Sequence, residues 1–313
     1  MILSFNEAAN LPHALASVMG WADAVYVVDS GSTDGSQDIA RAAGAQVIHR
    51  PWLGYARQKN WGLETLPMKA DWVFILDSDE SLTPELRDEV LAIAARPAAE
   101  VPEAGFYINR LTKFMGAPIR HAGFFPSYNL RFFRRGTARY EDREVHEHMH
   151  VDGPTSRLRH YMHHEDRRGL EHFIAKHNRY STLEARELMR ARTKPAADRA
   201  TKLEGGIAMR RWLKINVLPR LPLIGLWRFV YTYILRLGFL DGAPGFRFCL
   251  VLAMYDTFIA LKLAELRSLG AHLDPGGGIS ATPPPVSGLA VAEGQLSVDS
   301  ASDAPKSTGG TAS

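Results

Sequence analysis

Two aspartates, Asp77 and Asp79, stand directly behind an apolar run in the sequence. Residues 72–76 are apolar and have polar neighbours at both ends, which predicts a buried strand. On extended backbone, side chains at positions i and i+2 point the same way, so both carboxylates can face one ligand. Paired carboxylates suit a hard divalent cation that also binds substrate phosphates. This pair is therefore the first candidate for a metal site.

Strand and helix patterns alternate before this pair. The predicted strands cover residues 2–5, 24–28, 46–48 and 72–76, and the predicted helices cover 6–17, 34–43 and 55–66. This order predicts an α/β fold with a mostly parallel central sheet and right-handed crossovers. In open α/β sheets ligands bind beyond the carboxyl ends of the strands, which is where Asp77 and Asp79 stand.

Polar residues follow the second predicted strand at the same edge. Asp29 comes directly after it, and its carboxylate could accept a hydrogen bond from a nucleobase N–H or a ribose hydroxyl. Ser32 and Asp34 lie in the turn that follows, where Ser32 also suits a helix cap. A tight turn explains the serine, but it does not require an acid at position 29.

The first and third helices also begin with polar residues. Asn6 and Glu7 follow the first strand, and Glu7 could either meet a ligand or stabilise the helix N-terminus. Lys59 and Asn60 lie near the start of the third predicted helix, where a cation could meet a phosphate. All four positions are candidates for ligand contacts.

The middle of the chain has a different pattern. Strands are predicted at 106–110 and 128–133 and a helix at 169–192, with Gly, Pro and His between the strands, as expected of a subdomain with active-site loops. The histidines of this region do not have the H-E-x-x-H spacing of a zinc protease. The six histidines are His146, His148, His150, His160, His163 and His164. We expect most of them to be hydrogen-bonded or solvated loop residues.

The region 212–269 mixes aromatic, apolar and basic residues. Its most apolar stretch, 248–261, is shorter than the roughly 20 residues that span a bilayer. Amphipathic helices at a membrane interface fit this composition, and the alternative is a helical pair packed on the catalytic domain. We predict a catalytic domain at 1–165, a membrane-associating helical region at 166–270 and a disordered tail at 271–313.

Composition limits the partners. The net charge of +3 gives no argument for nucleic acid, and the single cysteine excludes an internal disulfide and fits a reducing compartment. Without a G-x-G-x-x-G behind the first strand, a dinucleotide oxidoreductase is poorly supported.

Four motifs together resemble the family 2 glycosyltransferases, which have the GT-A nucleotide-sugar-binding fold. They cover residues 4–7, 27–35, 58–62 and 76–80. Segments 132–135, 145–147, 180–182 and 238–242 are similar to the subgroup that adds glucose to the lipopolysaccharide inner core. Family members that polymerise sugars carry Q-x-x-R-W, but here Ala208 replaces the glutamine before Arg211 and Trp212, which favours transfer of a single sugar.

The resemblance implies roles for several residues. Asp29 would contact the uracil of a UDP-sugar, Lys59 would lie near its diphosphate, and Asp77 and Asp79 would hold Mg²⁺ or Mn²⁺, with Asp79 the more direct contact. A histidine often joins this metal shell, and His163 or His164 could do so; we assign His163.

The resemblance also implies a general base after the D-x-D strand. We choose Glu147, and Asp142 is the alternative. Both stay open because a general base is judged first by geometry, which the sequence does not supply.

The implied reaction is inverting, metal-dependent transfer of a sugar, with glucose expected, from a UDP-sugar. The implied acceptor is a lipid-linked saccharide such as the lipopolysaccharide inner core, met at the cytoplasmic face of the inner membrane by a peripheral enzyme. One alternative is a haloacid-dehalogenase-type phosphatase, which would have its D-x-D on the first strand and Thr or Val in place of Ser81. The other is a non-catalytic scaffold with a degenerate transferase fold.

Overall fold

The computed structural model describes residues 1–141, 149–193 and 223–268. Asp142 and Glu147 lie outside the described residues, as do Ala208, Arg211, Trp212 and the tail predicted at 271–313. The predicted domain boundaries therefore stay predictions.

The strands and helices follow the predicted alternation. The strands are β1 (Ile2–Ser4), β2 (Tyr26–Asp29), β3 (Gln46–His49), β4 (Trp72–Phe74), β5 (Leu76–Asp77), β6 (Glu80–Leu82), β7 (Gly105–Phe114), β8 (Ala117–Pro118), β9 (Tyr128–Arg134), β10 (Ala138–Tyr140), β11 (Met149–Val151) and β12 (Thr155–His164). The helices are α1 (Leu11–Val18), α2 (Ser36–Ala42), α3 (Tyr55–Thr65), α4 (Pro84–Ala94), α5 (Gly169–Thr193), α6 (Ile224–Phe229) and α7 (Gly242–Ser268).

The first sheet is parallel, with the strand order β3-β2-β1-β5. In its register Ser4 lies beside Asp29 and Leu3 lies beside Asp77, so both aspartates end strands that flank β1. Helices α1 and α2 cover one face and α3 covers the other. The predicted α/β architecture is confirmed, and it brings the candidate acids to one edge.

The apolar run 72–76, predicted as one strand, is divided between two sheets. β4 pairs antiparallel with β9, whereas β5 pairs parallel with β1. Between them, the Ile75 N–H donates to the carbonyl oxygen of Arg131 at 2.9 Å. The chain therefore crosses from the second sheet to the first, and Asp77 and Asp79 lie at the junction.

The second sheet is mixed, with the order β4-β9-β7-β12-β6. Its short strand β6, directly after Asp79, was not predicted, because three residues carry too little periodicity to reveal a strand. β6 pairs antiparallel with the end of β12, so that Glu80 lies beside His164. This pairing brings residues about 85 positions apart to the D-x-D turn.

Helices α5 and α7 pack on the second sheet through aromatic side chains. Phe248 of α7 is fully buried, with its ring centroid 5.3 Å from Phe114 and 4.7 Å from Phe124. Phe173 of α5 joins the same cluster. Helices α5 and α7 are therefore joined to the second sheet by a common core.

The turn Gly238–Asp241 fixes the hairpin of α6 and α7 to the loop after β8. Asp241 accepts hydrogen bonds from the backbone N–H groups of Arg120 (3.2 Å) and His121 (2.8 Å), and it pairs with His121 Nδ1 at 2.7 Å. A Cβ on Gly245 would collide with the Gly238 carbonyl, so only glycine permits the turn to lie directly on α7. This packing explains the local pattern at 238–242.

Across residues 1–141, 149–193 and 223–268, the helices all fall short of the combined length and apolarity that crossing a membrane requires.

We predict that Asp241→Ala lowers the free energy of unfolding by about 1–3 kcal/mol, because two backbone N–H groups lose their acceptor. Asp38→Ala is the matched control, since the Asp38 side chain is 87% exposed and, within the described ranges, forms an ion pair with Arg41 alone. Urea denaturation of both variants measures the difference. Equal effects would mean that Asp241 does not anchor the hairpin.

Candidate active site

The loops after β1 and β2 are joined by hydrogen bonds. The Asn6 side-chain oxygen accepts from the Thr33 N–H, and the Asn6 N–H donates to Ser32 Oγ, both at 2.9 Å. The Asp34 carboxylate accepts from the Ala8 N–H at 2.9 Å. The predicted ligand residues Asn6, Ser32 and Asp34 thus fix the shape of this edge, and their contact with a nucleotide stays a prediction.

Asp29 is completely buried and holds its own turn. Its Oδ1 accepts hydrogen bonds from the backbone N–H groups of Gly31 and Ser32 at 2.9 Å and from the Gln37 amide at 2.8 Å. Among the residues that the structure describes, the second oxygen accepts only from the Ser32 hydroxyl. Oδ2 is therefore the atom with remaining acceptor capacity for a base or ribose.

The two polar residues of α3 have different environments. Lys59 is buried, with Nζ 3.4 Å from Asp77 Oδ1 and 4.9 Å from the centre of the Tyr140 ring. The Asn60 side chain exchanges two hydrogen bonds of 2.8 Å with the backbone of Tyr140. Lys59 thus reaches the D-x-D turn, whereas Asn60 anchors β10 to α3, and its predicted nucleotide contact stays a prediction.

Asp77 is bound to cations on both oxygens. Arg131 of β9 donates to Oδ2 at 2.5 Å, and Lys59 lies on the side of Oδ1. Burial acts to raise the pKa of Asp77, but the charges of Arg131, Lys59 and Arg110 outweigh it and hold that pKa well below its usual range. Asp77 is therefore an ionised, structurally engaged carboxylate.

Glu80 is the second acid bound by Arg131. Its Oε1 lies 2.7 Å from Arg131 Nη2 and 3.5 Å from Arg110 Nη1, and its Oε2 accepts the Asp77 N–H at 3.0 Å. Both arginines are buried beside it. Since an isolated buried charge is very costly, these cations are what permit two acids on one turn.

Asp79 differs from both neighbours. Its side chain is fully buried, yet neither carboxylate oxygen has a hydrogen-bond partner among the described residues. His164 Nε2 lies 3.2 Å from Oδ2 without hydrogen-bond geometry, and both of its ring nitrogens are also buried and unpartnered. Burial acts to raise the pKa of Asp79, but the His164 and Lys176 charges outweigh it and lower that pKa. The carboxylate is thus ionised and available.

His163, which the sequence assigned to the metal, lies on the other face of β12. Successive residues of a strand point to opposite faces, and here it is His164 that faces Asp79. The His163 ring is 5.6 Å from that of Tyr161. Burial lowers the pKa of His163, and the nearby positive charge of Lys113 lowers it further. The metal contact of His163 stays a prediction, and His164 is the histidine that lies beside Asp79.

A buried ionic network adjoins Asp79. Arg168 Nη1 lies 2.8 Å from Glu7 Oε1, and its Nη2 lies 2.6 Å from Asp166 Oδ2. Asn10 donates to Glu7 at 2.7 Å, and Lys176 Nζ lies 3.9 Å from Asp166. Burial raises the pKa of Glu7, and the Arg168 charge opposes this shift. Glu7 is therefore held inside the protein by Arg168 and Asn10, and its predicted ligand contact stays a prediction.

Two tyrosines also belong to this site. The hydroxyl oxygens of Tyr55 and Tyr180 lie 3.3 Å apart, joining the start of α3 to α5. Burial raises the pKa of both hydroxyls, and the charges of Asp77 and Asp79 add to the shift at Tyr55. Both side chains therefore stay neutral beside the acids.

The Asp79–His164 pair fits a divalent cation. Two ligand atoms at about 2.1 Å from one ion, at right angles, lie about 3.0 Å apart, close to the observed 3.2 Å. Residues 1–141, 149–193 and 223–268 contain no group of three or more Asp, Glu, His or Cys side chains arranged to bind a metal. The described residues would therefore supply two ligands, and the other positions would be left to water, substrate oxygens or residues outside the described ranges.

The family model of glycosyl transferase family 2 matches residues 1–167, more than half of the 313-residue chain. The chain belongs to glycosyl transferase family 2. The match contains the first sheet, the D-x-D turn and His164, and it places the protein among transferases rather than dehalogenase-type phosphatases.

Relatives of this glycosyltransferase match over most of their length. An uncharacterized glycosyltransferase of Rickettsia bellii is 29% identical over 285 residues, which is 88% of this chain and 87% of the relative. The lipopolysaccharide core biosynthesis glycosyltransferase LpsC of Rhizobium meliloti is 29% identical over 291 residues, or 87% of this chain and 93% of LpsC.

Solved structures match only in part. Glucosyl-3-phosphoglycerate synthase from Mycobacterium tuberculosis, crystallised with Mn²⁺ and UDP-glucose, is 23% identical with a TM-score of 0.28. The match covers 36% of this chain and 42% of the synthase. It is too weak to assign a ligand to this family 2 glycosyltransferase.

Several site residues of the glycosyltransferase escaped the sequence analysis. They are Glu80, Arg110, Arg131, Asp166, Arg168 and Lys176. Arg131 lies within a predicted strand, but its partner Asp77 is 54 positions away. One local signal indicated that His164 points inward: it lies two residues after Met162, and residues two apart on a strand share a face.

We predict that Asp77→Asn destabilises the metal-free protein by about 3 kcal/mol at pH 7, because it removes the charged carboxylate that the buried Arg131 and Lys59 share. The pKa of Asp77 is lowered by folding, so its contribution is complete above the unfolded value of about 3.9 and is lost as the pH falls below it. The difference in unfolding free energy between the variant and the wild type should therefore shrink as the pH falls from about 5 to about 2.

Urea denaturation in EDTA at several pH values measures this difference. Asp71→Asn is the control, since Asp71 is exposed. A pH-independent difference for Asp77→Asn would contradict the assigned ion pairs.

Proposed function

We propose that this glycosyltransferase moves a sugar, with glucose expected, from a UDP-sugar to a lipid-linked saccharide acceptor in cell-envelope glycan synthesis. The observation that carries the proposal is the buried pair of Asp79 and His164, whose side-chain oxygen and nitrogen atoms have no hydrogen-bond partner among the described residues. The pair lies at the carboxyl edge of the parallel sheet, which is where open α/β sheets bind their ligands. Buried polar atoms are normally hydrogen-bonded, so an unpartnered carboxylate beside an unpartnered imidazole supports an ion or water bound between them.

Asp79 and His164 would hold Mg²⁺ or Mn²⁺ at this edge, and the diphosphate of the donor would complete the coordination. When bound, the cation would act as a Lewis acid toward the departing diphosphate. Asp77 keeps its predicted place beside the metal, but its oxygens are committed to Arg131 and Lys59, so its contribution would be indirect.

The chain's own residues would do the remaining work. Lys59, held between Asp77 and the Tyr140 ring, carries a positive charge toward the edge where the diphosphate would lie. Asp29 Oδ2 has the remaining capacity to accept a uracil N–H or a ribose hydroxyl. These two residues would orient the donor from opposite sides of β1.

The acceptor hydroxyl would attack the anomeric carbon as the bond to the diphosphate breaks, which inverts that carbon. A carboxylate must take the hydroxyl proton. Glu147 or Asp142 would do so; both lie outside the described residues, and we favour Glu147.

The proposed acceptor rests on the relative LpsC, named for lipopolysaccharide core biosynthesis, and on the hairpin surface. The hairpin of α6 and α7 exposes many large apolar side chains, among them Leu223, Leu226, Trp227, Tyr231, Leu235, Phe239, Leu240, Phe246, Leu250 and Leu261. An apolar surface of this extent marks an interaction site. We assign it to the cytoplasmic face of the inner membrane, where an amphiphilic acceptor would be met.

We expect the protein to bind UDP in calorimetry only when Mn²⁺ or Mg²⁺ is present. Asp79→Asn and His164→Gln should each weaken metal-dependent binding by at least ~10-fold, since even changes outside the metal's own ligands cause losses of that size. His163→Gln is the matched control, because the neighbouring histidine faces away from Asp79. Direct Mn²⁺ titration without UDP should give the same ranking.

Absence of UDP binding by a folded wild-type protein would contradict the donor assignment and support the scaffold alternative. Equal losses in the His163 and His164 variants would contradict the metal assignment.

We expect vesicles of phosphatidylethanolamine and phosphatidylglycerol to carry the protein upward in flotation assays. The double change Leu226→Ser and Trp227→Ser should reduce binding by ~10-fold or more, because each large apolar side chain contributes about 1.5–3 kcal/mol when buried. Both side chains are more than half exposed, at 56% and 57%. Leu53→Ser with Met115→Ser is the control, since these residues are as exposed but lie outside the hairpin. Unchanged flotation of the hairpin variant would contradict the membrane assignment.

A further inference from the structure

The segment from His163 to Arg168 has two faces of different character. His164, Asp166 and Arg168 face the buried network around Asp79. The alternate residues face a second group of side chains: Glu165 Oε2 lies 3.8 Å from Lys113 Nζ and 2.5 Å from Arg167 Nη2. The site described above uses only the first face.

Positive charge dominates this second face. The charges of Lys113, Arg167 and Arg120 all act on the ring of His163, and Glu165 is the one acid among its strongest electrostatic neighbours. We call Lys113, Arg120, His163 and Arg167 the basic patch. His163 Nδ1 is buried and has no hydrogen-bond partner within the described part of the chain. The patch thus sets the cations Lys113, Arg120 and Arg167 against the carboxylate of Glu165, which pairs with Lys113 and Arg167 and leaves the exposed Arg120 side chain accessible.

Aromatic rings border the basic patch. The ring of Tyr161 lies 5.6 Å from that of His163 and 6.1 Å from that of Phe125, and the Arg120 guanidinium lies 6.0 Å from the Phe125 ring. Phe125 and Tyr161 are half-buried, so part of each ring is accessible. Apolar ring faces beside a few convergent polar groups are typical of small-molecule sites.

The patch is joined directly to the D-x-D turn and to the hairpin. The Glu165 N–H donates to the Asp79 carbonyl oxygen at 2.8 Å. On the other side, Asp241 accepts the Arg120 N–H at 3.2 Å. A molecule held here would therefore lie between the proposed metal ligands and the apolar hairpin.

We propose that the basic patch binds an acidic group, a carboxylate or phosphate, carried by the saccharide acceptor. This rests on the proposed function. Arg120, Arg167 and Lys113 supply the charge-assisted hydrogen bonds that such oxyanions favour, while Tyr161 and Phe125 border the sugar ring. The patch thus selects acidic over neutral acceptors.

Competition between a charged sugar and its neutral counterpart tests the proposal. The probes are methyl glucuronide, which carries a carboxylate, and methyl glucoside, which does not. Each is added to the full chain saturated with UDP and Mn²⁺, and its binding is followed by ligand-observed NMR. UDP affinity is measured first for every variant. We expect the wild type to bind the glucuronide more tightly, and Lys113→Gln with Arg120→Gln to weaken that binding by roughly tenfold.

Arg87→Gln is the matched control, because Arg87 is an exposed arginine of α4 whose one ion-pair partner among the described residues is Asp88. If the double variant also loses UDP affinity, Arg120→Gln alone is used, since this side chain is exposed. A glucuronide preference that survives in the patch variant, or is absent from the wild type, overturns the proposal. Failure of the wild type to bind UDP would instead contradict the proposed function.

Lipid headgroups also carry phosphate, so vesicles form the second arm. Vesicles of phosphatidylglycerol are compared with vesicles of phosphatidylcholine. Loss of phosphatidylglycerol binding in the patch variant, with an unchanged glucuronide preference, would assign the patch to lipid and overturn the acceptor proposal. Loss of the glucuronide preference with unchanged vesicle binding supports it.

Discussion

The site depends on the cost of burying carboxylates. Asp77, Asp79 and Glu80 lie on one turn, each almost completely shielded from water, and such a cluster is stable only when cations compensate its charge. Arg131 meets two of the three acids, and Lys59 and Arg110 complete the compensation. The exception is Asp79, which lies 3.2 Å from the ring of His164 and has no hydrogen-bond partner within the described part of the chain. The same balance that stabilises the turn thus leaves one carboxylate available for a cation.

The crossing of the chain between two sheets makes this balance possible. Residues 72–76 leave the second sheet and enter the first just before the acids, so β9 and β12 can deliver Arg131 and His164 to a turn that the first sheet holds. Helix α5 closes the site with Lys176 and Tyr180, and the hairpin is tied to the same region through Asp241. The carboxyl edge of the first sheet, the basic patch and the apolar surface of the hairpin are therefore parts of one packed unit.

Local patterns in the sequence were enough for the parallel sheet, its edge and the D-x-D acids, because buried strands and the residues that follow them are short-range signals. The partners of those acids were not predictable in this way. Arg131 and His164 reach the turn through pairing between strands far apart in sequence, and β6 is too short to reveal that His164 lies beside Glu80. The sequence alone does not distinguish His163 from His164, because they differ only in the face of the strand to which each side chain points.

The most direct measurement is an anomalous difference map at the manganese absorption edge, from crystals grown with Mn²⁺ and UDP. The predicted result is a peak about 2.2 Å from an Asp79 carboxylate oxygen and from His164 Nε2, with diphosphate oxygens completing the coordination. A peak bound by His163, or by Asp77 without Asp79, would contradict the account.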